Sequence, residues 1–120
     1  MIVFKNEDKA YQKWVKENSY GFVVNTRNEK GHEYRVAHKT SCRFISNIKN
    51  PARSTKNYIK VCATDPLDIA RWFYQNKSFF NGKFYECGHC KPNINVLISG
   101  DAYLFGDEIE TASTYLEGDV

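Results

Sequence analysis

The order of apolar and polar positions divides the chain into short elements. Tyr11, Trp14 and Val15 recur at helical spacing between outward-facing Lys9, Lys13, Lys16 and Glu17, which predicts a helix running to about Asn18, capped by Asn6 or Asp8. Ser19-Tyr20-Gly21 breaks that pattern. Phe22-Val23-Val24 is a β-branched and aromatic run, and His32 to His38 alternates as a strand does. The stretch between them, Asn25 to Gly31, is polar and ends in glycine, so a hairpin is expected. Residues 49–57, with Pro51, Ser54 and Thr55, predict a loop, and Tyr58 to Cys62 a further strand. Thr64-Asp65-Pro66 sets a capping residue before a proline, and Leu67, Ala70 and Phe73 then repeat at helical spacing to about Asn76. Ile94 to Ile98 and Tyr103 to Phe105 are expected to add edge strands. The pattern thus defines a small single α+β domain over residues 1–120, with a hairpin and two helices.

Length and composition narrow the class. A chain of 120 residues has room for one core, and 42% hydrophobic with 26% charged residues is a globular composition. No apolar run approaches the ~20 residues of a membrane helix. Met1-Ile2-Val3-Phe4-Lys5 lacks the basic-then-apolar form of a secretory leader, so a cytoplasmic protein is expected. In that reducing setting four cysteines read as ligands ahead of disulfides. The net charge of +3 conceals a polarity. Residues 101–120 hold six acids and no Lys or Arg, which leaves residues 1–100 with 17 basic and 8 acidic side chains, a net of +9. A basic body with an acidic C-terminal segment suits a polyanionic partner.

The sharpest chemical signal is Cys87-Gly88-His89-Cys90-Lys91-Pro92. Two cysteines two residues apart, with glycine between them, form a tight knuckle in which both thiolates reach one Zn²⁺. His38 and Cys42, in a His-x3-Cys arrangement after the hairpin's second strand, complete a four-ligand set, so zinc is the expected cofactor. Other readings stand beside it: a redox pair, disulfides, or His38 and Cys42 as plain core residues. Cys62, at the end of an apolar strand, is the rival for a ligand position. His89 lies inside the knuckle and is expected to point away.

Tyr34-Arg35-Val36-Ala37-His38-Lys39-Thr40-Ser41-Cys42-Arg43-Phe44-Ile45, a helix around Leu67 to Tyr74, and Tyr85-Glu86-Cys87-Gly88-His89-Cys90-Lys91-Pro92 together resemble the small Cys/His metal-binding domains of the Ada type, including versions appended to thermonuclease-like proteins. The resemblance covers residues 34–92, roughly half the chain. It implies a treble-clef-like or ribbon-like zinc site on His38, Cys42, Cys87 and Cys90, in a surface that meets nucleic acid. It also implies a zinc-bound cysteine accepting a methyl group from a DNA phosphotriester, which a histidine ligand argues against.

A site closed by four protein ligands stabilises a fold and leaves no open position for a reacting water. The expected function is therefore a non-catalytic nucleic-acid-binding module, DNA ahead of RNA, using Arg35, Lys39, Arg43, Arg71, Lys77, Lys83 and Lys91. Trp72-Phe73-Tyr74, Phe79-Phe80 and Phe84-Tyr85 would supply stacking rings. The competing class is a protein-interaction or inhibitor protein of phage or mobile-element type. A third is a small metal-dependent nuclease using His32 or Glu33. No membrane and no small-molecule substrate is expected.

Overall fold

Strand-forming residues from six separate stretches converge on one sheet in the computed structural model, which describes residues 1–27, 35–46, 55, 58–76, 84–98 and 113–115. In chain order the elements are β1 (Ile2–Phe4), α1 (Asp8–Glu17), β2 (Phe22–Arg27), β3 (Arg35–Lys39), α2 (Arg43–Ser46), β4 (Tyr58–Ala63), α3 (Pro66–Asn76), β5 (Tyr85–Cys87), α4 (94–98) and β6 (Ser113–Tyr115). The six strands lie in the order β1-β4-β2-β3-β5-β6. β2 and β3 form the expected antiparallel hairpin, with Val23 opposite His38 and Val24 opposite Ala37. β4 runs antiparallel on the other side of β2, and β1 antiparallel on β4. β5 joins β3 in parallel and β6 joins β5 in parallel.

Side chains alternate between the two faces of a strand, and here both faces are covered. Val24, Ala37, Val61 and Ala63 face one way, under Ile69, Ala70 and Phe73 of α3 and Ile94 and Ile98 of α4. Val23, Val36 and Cys62 face the other way, against Tyr11 and Val15 of α1, Ile45 of α2, and Cys42 and Cys87. Burial on both faces is why Val23 and Val24 are consecutive and apolar rather than alternating.

Several expectations are corrected. The expected first helix is present as Asp8–Glu17, but neither Asn6 nor Asp8 caps it. The cap residue Glu7 makes no side-chain cap bond. Thr55 does the tethering instead, with its hydroxyl accepting from Glu7 N (2.7 Å) and its own N and Oγ1 donating to Asp8 Oδ1 (both 2.6 Å). Residues 94–98 are helical rather than an edge strand. Ile94 and Ile98, four apart, share a face in a strand as in a helix, and the helix is the form in which Glu86 accepts from the N–H groups of Ile94 and Asn95 while both isoleucines are buried. The polar turn begins later than expected, because Asn25 and Thr26 are buried strand residues. Asn25 sits opposite Lys60 in the β2–β4 register, and its Oδ1 accepts from Lys60 Nζ. The fully buried Lys60 ammonium also lies 5.6 Å from the Tyr11 ring centroid and 5.8 Å from that of Tyr58. β1 and β6 were not anticipated, and β6 places part of the acidic segment on the sheet beside β5. The expected strand at Tyr103–Phe105 lies outside the described residues, as does most of the 49–57 loop. No helix among the described residues is long and apolar enough to cross a membrane.

Candidate metal centre

Three pieces of chain deliver the His/Cys cluster. His38 lies near the end of β3, on the same face as Val36, and is fully buried. The chain then turns sharply, with Cys42 N donating to Lys39 O (3.0 Å) and Thr40 N to Gly21 O (2.9 Å). Ile45 N and Ser46 N both donate to Cys42 O, so Cys42 opens the single turn of α2. Cys87 is the last residue of β5, one position beyond the Ala37–Glu86 pair, which sets it beside His38. Lys91 N donates to Cys87 O (3.0 Å), and Lys91 takes φ 49°, closing the knuckle that returns Cys90.

His38, Cys42, Cys87 and Cys90 offer ligand atoms that all lie within 4.8 Å of one another, so the four can bind a metal ion. The Cys42 and Cys87 sulfurs are 4.0 Å apart. Sulfurs each about 2.3 Å from a tetrahedral ion lie about 3.8 Å from one another, so the spacing fits such an ion. It is far too long for a disulfide, whose sulfurs are about 2.05 Å apart, and all four cysteines are free. Neither imidazole nitrogen of His38 has a hydrogen-bond partner despite complete burial, and the groups facing it are thiols. A buried imidazole facing those sulfurs is placed to ligate a metal ion.

The electrostatics agree. Burial alone would lower the His38 pKa, but the sulfurs of Cys42 and Cys87 outweigh it and hold it raised. A hydrogen bond from Cys90, against the opposing effect of burial and with help from His38, brings Cys42 down to about 4. Cys90, as donor to that thiolate and partly buried, is pushed well above the ordinary thiol range. Burial would raise Cys87, yet His38 and the backbone N–H groups of Cys90 and His89 lower it. Lys39 N approaches Cys90 Sγ at 3.3 Å and His89 N approaches Cys87 Sγ at 3.4 Å. Such N–H groups orient and stabilise ligating thiolates.

Cys62 is separate from this group. It occupies β4, with β2 between it and β3, and Val23 pairs with both Cys62 and His38. Two strand spacings put these backbones about 9.6 Å apart, too far for one ion. Burial drives the Cys62 thiol far above its usual range, as befits a neutral core residue.

Two neighbours carry no signal in the sequence. Phe44 leans over the centre, its ring centroid 6.4 Å from His38 and 5.7 Å from the exposed His89, with Arg43 Cζ 5.2 Å above it. Glu86, next to Cys87 but on the opposite face, is buried and accepts from Ile94 N and from Asn95 N (3.0 Å). Burial raises its pKa while the Asn95 and Ile94 N–H groups oppose the rise. This carboxylate caps α4 and bridges from the knuckle's first cysteine to the helix after it. Glu86→Ala is expected to lower stability by about 1–2 kcal/mol, since two helix N–H groups lose their acceptor. A thermal melt beside the metal content reads it out. An unchanged melt would show that water replaces the cap.

The cations expected to meet nucleic acid divide. Arg35 is fully buried and is not a surface contact, a correction that follows from β3 being covered on both faces. Lys39, Arg43 and Lys91 are exposed and each adjoins a member of the cluster in sequence. Arg71 is exposed, 3.9 Å from Asp68 on α3, whose buried residues pack on the other face of the sheet. Lys77 and Lys83 lie outside the described residues, as do His32, Glu33, Phe79 and Phe80. Trp72, Phe73 and Phe84 are core residues rather than stacking rings.

Comparison of the chain with protein-family models, with curated proteins and with solved structures finds no match.

Proposed function

We propose that this protein is a non-catalytic nucleic-acid-binding module whose fold is held by one zinc ion on His38, Cys42, Cys87 and Cys90, in a treble-clef-like or ribbon-like arrangement of the Ada type. Zinc suits a tetrahedral three-sulfur, one-nitrogen donor set, and four protein ligands saturate it. The observation that carries the binding function is the rim of the centre. Lys39, Arg43 and Lys91 are exposed beside His38, Cys42 and Cys90, so a buried cluster with ligand atoms within 4.8 Å is ringed by cations. The exposed His89 and the half-buried Phe44 lie among them. The excess of +9 over residues 1–100 adds long-range attraction for a polyanion, with DNA the first choice.

Fluorescence anisotropy with labelled DNA across a salt series tests this. Three phosphate contacts give a slope that corresponds to about a 40-fold loss of affinity between 50 and 200 mM salt. Replacing the three cations together, as Lys39→Gln, Arg43→Gln and Lys91→Asn, is expected to flatten that slope by about three. Asparagine is chosen at 91 because it tolerates the left-handed backbone there. Absence of binding to DNA and RNA at low salt would overturn the proposal, and a protein that co-purified instead would favour the interaction-protein reading.

A further inference from the structure

On the side of the sheet covered by α1 and α2, two hollows adjoin and share Ser19 and Ser41 in their walls. The larger, about 710 Å³, is walled by Lys13 and Lys16 of α1 and by Ser19, Thr40 and Ser41. The smaller, about 340 Å³, shares Ser19 and Ser41 and adds Tyr20 and Lys39. Both volumes fall in the range of ligand-sized clefts. Among the described residues that line them there is no Asp or Glu, and lysines lie toward both ends with hydroxyls between. Lys13 also meets Glu17 of α1 at 3.8 Å, which leaves Lys16 and Lys39 as the principal cations. One wall is the 38–42 turn itself, which carries two members of the metal cluster.

Tyr20 is the most exposed large hydrophobic side chain among the described residues, at 94%. Its backbone, by contrast, is pinned on both sides. Gly21 N donates to Asn18 O (2.9 Å), and Thr40 donates through its N to Gly21 O (2.9 Å) and through its hydroxyl to Asn18 O (2.7 Å). Asn18 Nδ2 donates back to Trp14 O (2.8 Å). Glycine at 21 is required sterically, because a Cβ there would lie 2.8 Å from Trp14 Cη2 and 3.3 Å from Ala63 O. A fixed turn thus holds a bare aromatic ring over a lysine-flanked channel. That is the arrangement that binds an unpaired base by its face while cations follow the phosphates. Because the backbone of the turn is held by these hydrogen bonds, the freedom left to be lost on binding is that of the ring's own rotamers.

We infer that single-stranded nucleic acid is the preferred form of the ligand, that it runs along this channel from Lys13 and Lys16 toward Lys39, and that Tyr20 stacks on one of its bases. The inference rests on the nucleic-acid reading proposed above and adds to it the strandedness, the path and the stacking residue. A duplex keeps its base faces covered and cannot use the Tyr20 ring.

Anisotropy titrations of a fluorescein-labelled 20-nucleotide oligo(dT) and of a 20-base-pair duplex, at one salt concentration, test it. The single strand is expected to bind more tightly than the duplex. Tyr20→Ala is expected to weaken single-strand binding about 5- to 150-fold, the effect of one stacked base, and to leave duplex binding unchanged. Tyr20→Phe should restore single-strand binding, because the ring and not the hydroxyl stacks. Lys16→Gln should reduce the salt slope for the single strand by about one. Since Tyr20 is nearly fully exposed, these variants are expected to melt with the parent protein. Equal affinity for both probes, with Tyr20→Ala indistinguishable from the parent, would overturn the inference and leave the rim-cation proposal standing. Failure to bind either probe would overturn both.

Discussion

Cys42→Ser or Cys87→Ser, or treatment with a strong zinc chelator, is expected to abolish the cooperative thermal transition of this protein. Structural zinc in small domains contributes on the order of 10 kcal/mol, as much as the whole stability of a typical domain. The centre joins β3, the first turn of α2 and the end of β5, and Cys42 and Cys87 belong to the apolar cluster under α1. Without the ion, the sulfurs of Cys42, Cys87 and Cys90 and a fully buried His38 crowd together, and the 38–42 turn meets the knuckle through weak sulfur contacts such as Cys42 Sγ to Cys87 Sγ (4.0 Å) and Lys39 N to Cys90 Sγ (3.3 Å). Cys62→Ala provides the contrast. It removes one buried sulfur from the same cluster two strands away, so it should keep one metal per chain and cost about 1 kcal/mol. Elemental analysis paired with near-ultraviolet circular dichroism melts separates the cases. A Cys42→Ser protein that binds no metal yet melts with the parent would show that the cluster is a reduced core patch rather than a ligand set.

The cluster was legible because its members are close in sequence within each half. Spacing of two and of three residues constrains geometry whatever the fold, and the parallel pairing of β5 with β3 then brings the halves together. The α3 start was legible for the same reason: Asp65 Oδ1 accepts from Leu67 N (2.9 Å), a contact two residues long. What failed depends on partners far along the chain. Asn25 reads as a turn residue until Lys60, 35 positions away, satisfies it inside the sheet. Ile94 to Ile98 fits either period, and the deciding carboxylate is Glu86, on a different element. Arg35 follows an apparently alternating run, yet a strand covered on both faces has no outward side, so a charged residue there is buried with its neighbours. The rings of Trp72, Phe73 and Phe84 went to the core for the same reason, since α3 has a whole sheet face to cover. Tyr20, which sequence reading took only as part of a helix-breaking triplet, is left outside because Gly21 packs in its place.

Acidification from pH 7 to pH 5 is expected to weaken metal binding, by about tenfold per pH unit for each proton that the ion displaces. The ion takes thiolates and a neutral imidazole, so protons compete with it. Cys42, lowered to about 4 in the metal-free cluster, is already a thiolate across this range and has no proton to release. Cys87 is lowered as well, so it holds its proton less firmly than an ordinary thiol. Cys90 is held as a thiol by the Cys42 thiolate and by burial, so it loses one proton on ligation. His38 is raised by its sulfur neighbours against the effect of burial, so it holds its proton more firmly than a free imidazole does and releases it on ligation. With metal bound, both groups titrate far below their metal-free values. The stability gained is therefore present at neutral pH and lost as pH falls, by about 1.4 kcal/mol per proton per pH unit. Competition with a chromophoric chelator at pH 7, 6 and 5 gives the slope, and calorimetry in buffers of different ionisation heat counts the protons. A slope near three would mean that a second thiol, that of Cys42 or Cys87, is protonated before the ion arrives. A flat profile would remove the thiols from the ligand set, and the knuckle would then be a turn that happens to carry two cysteines.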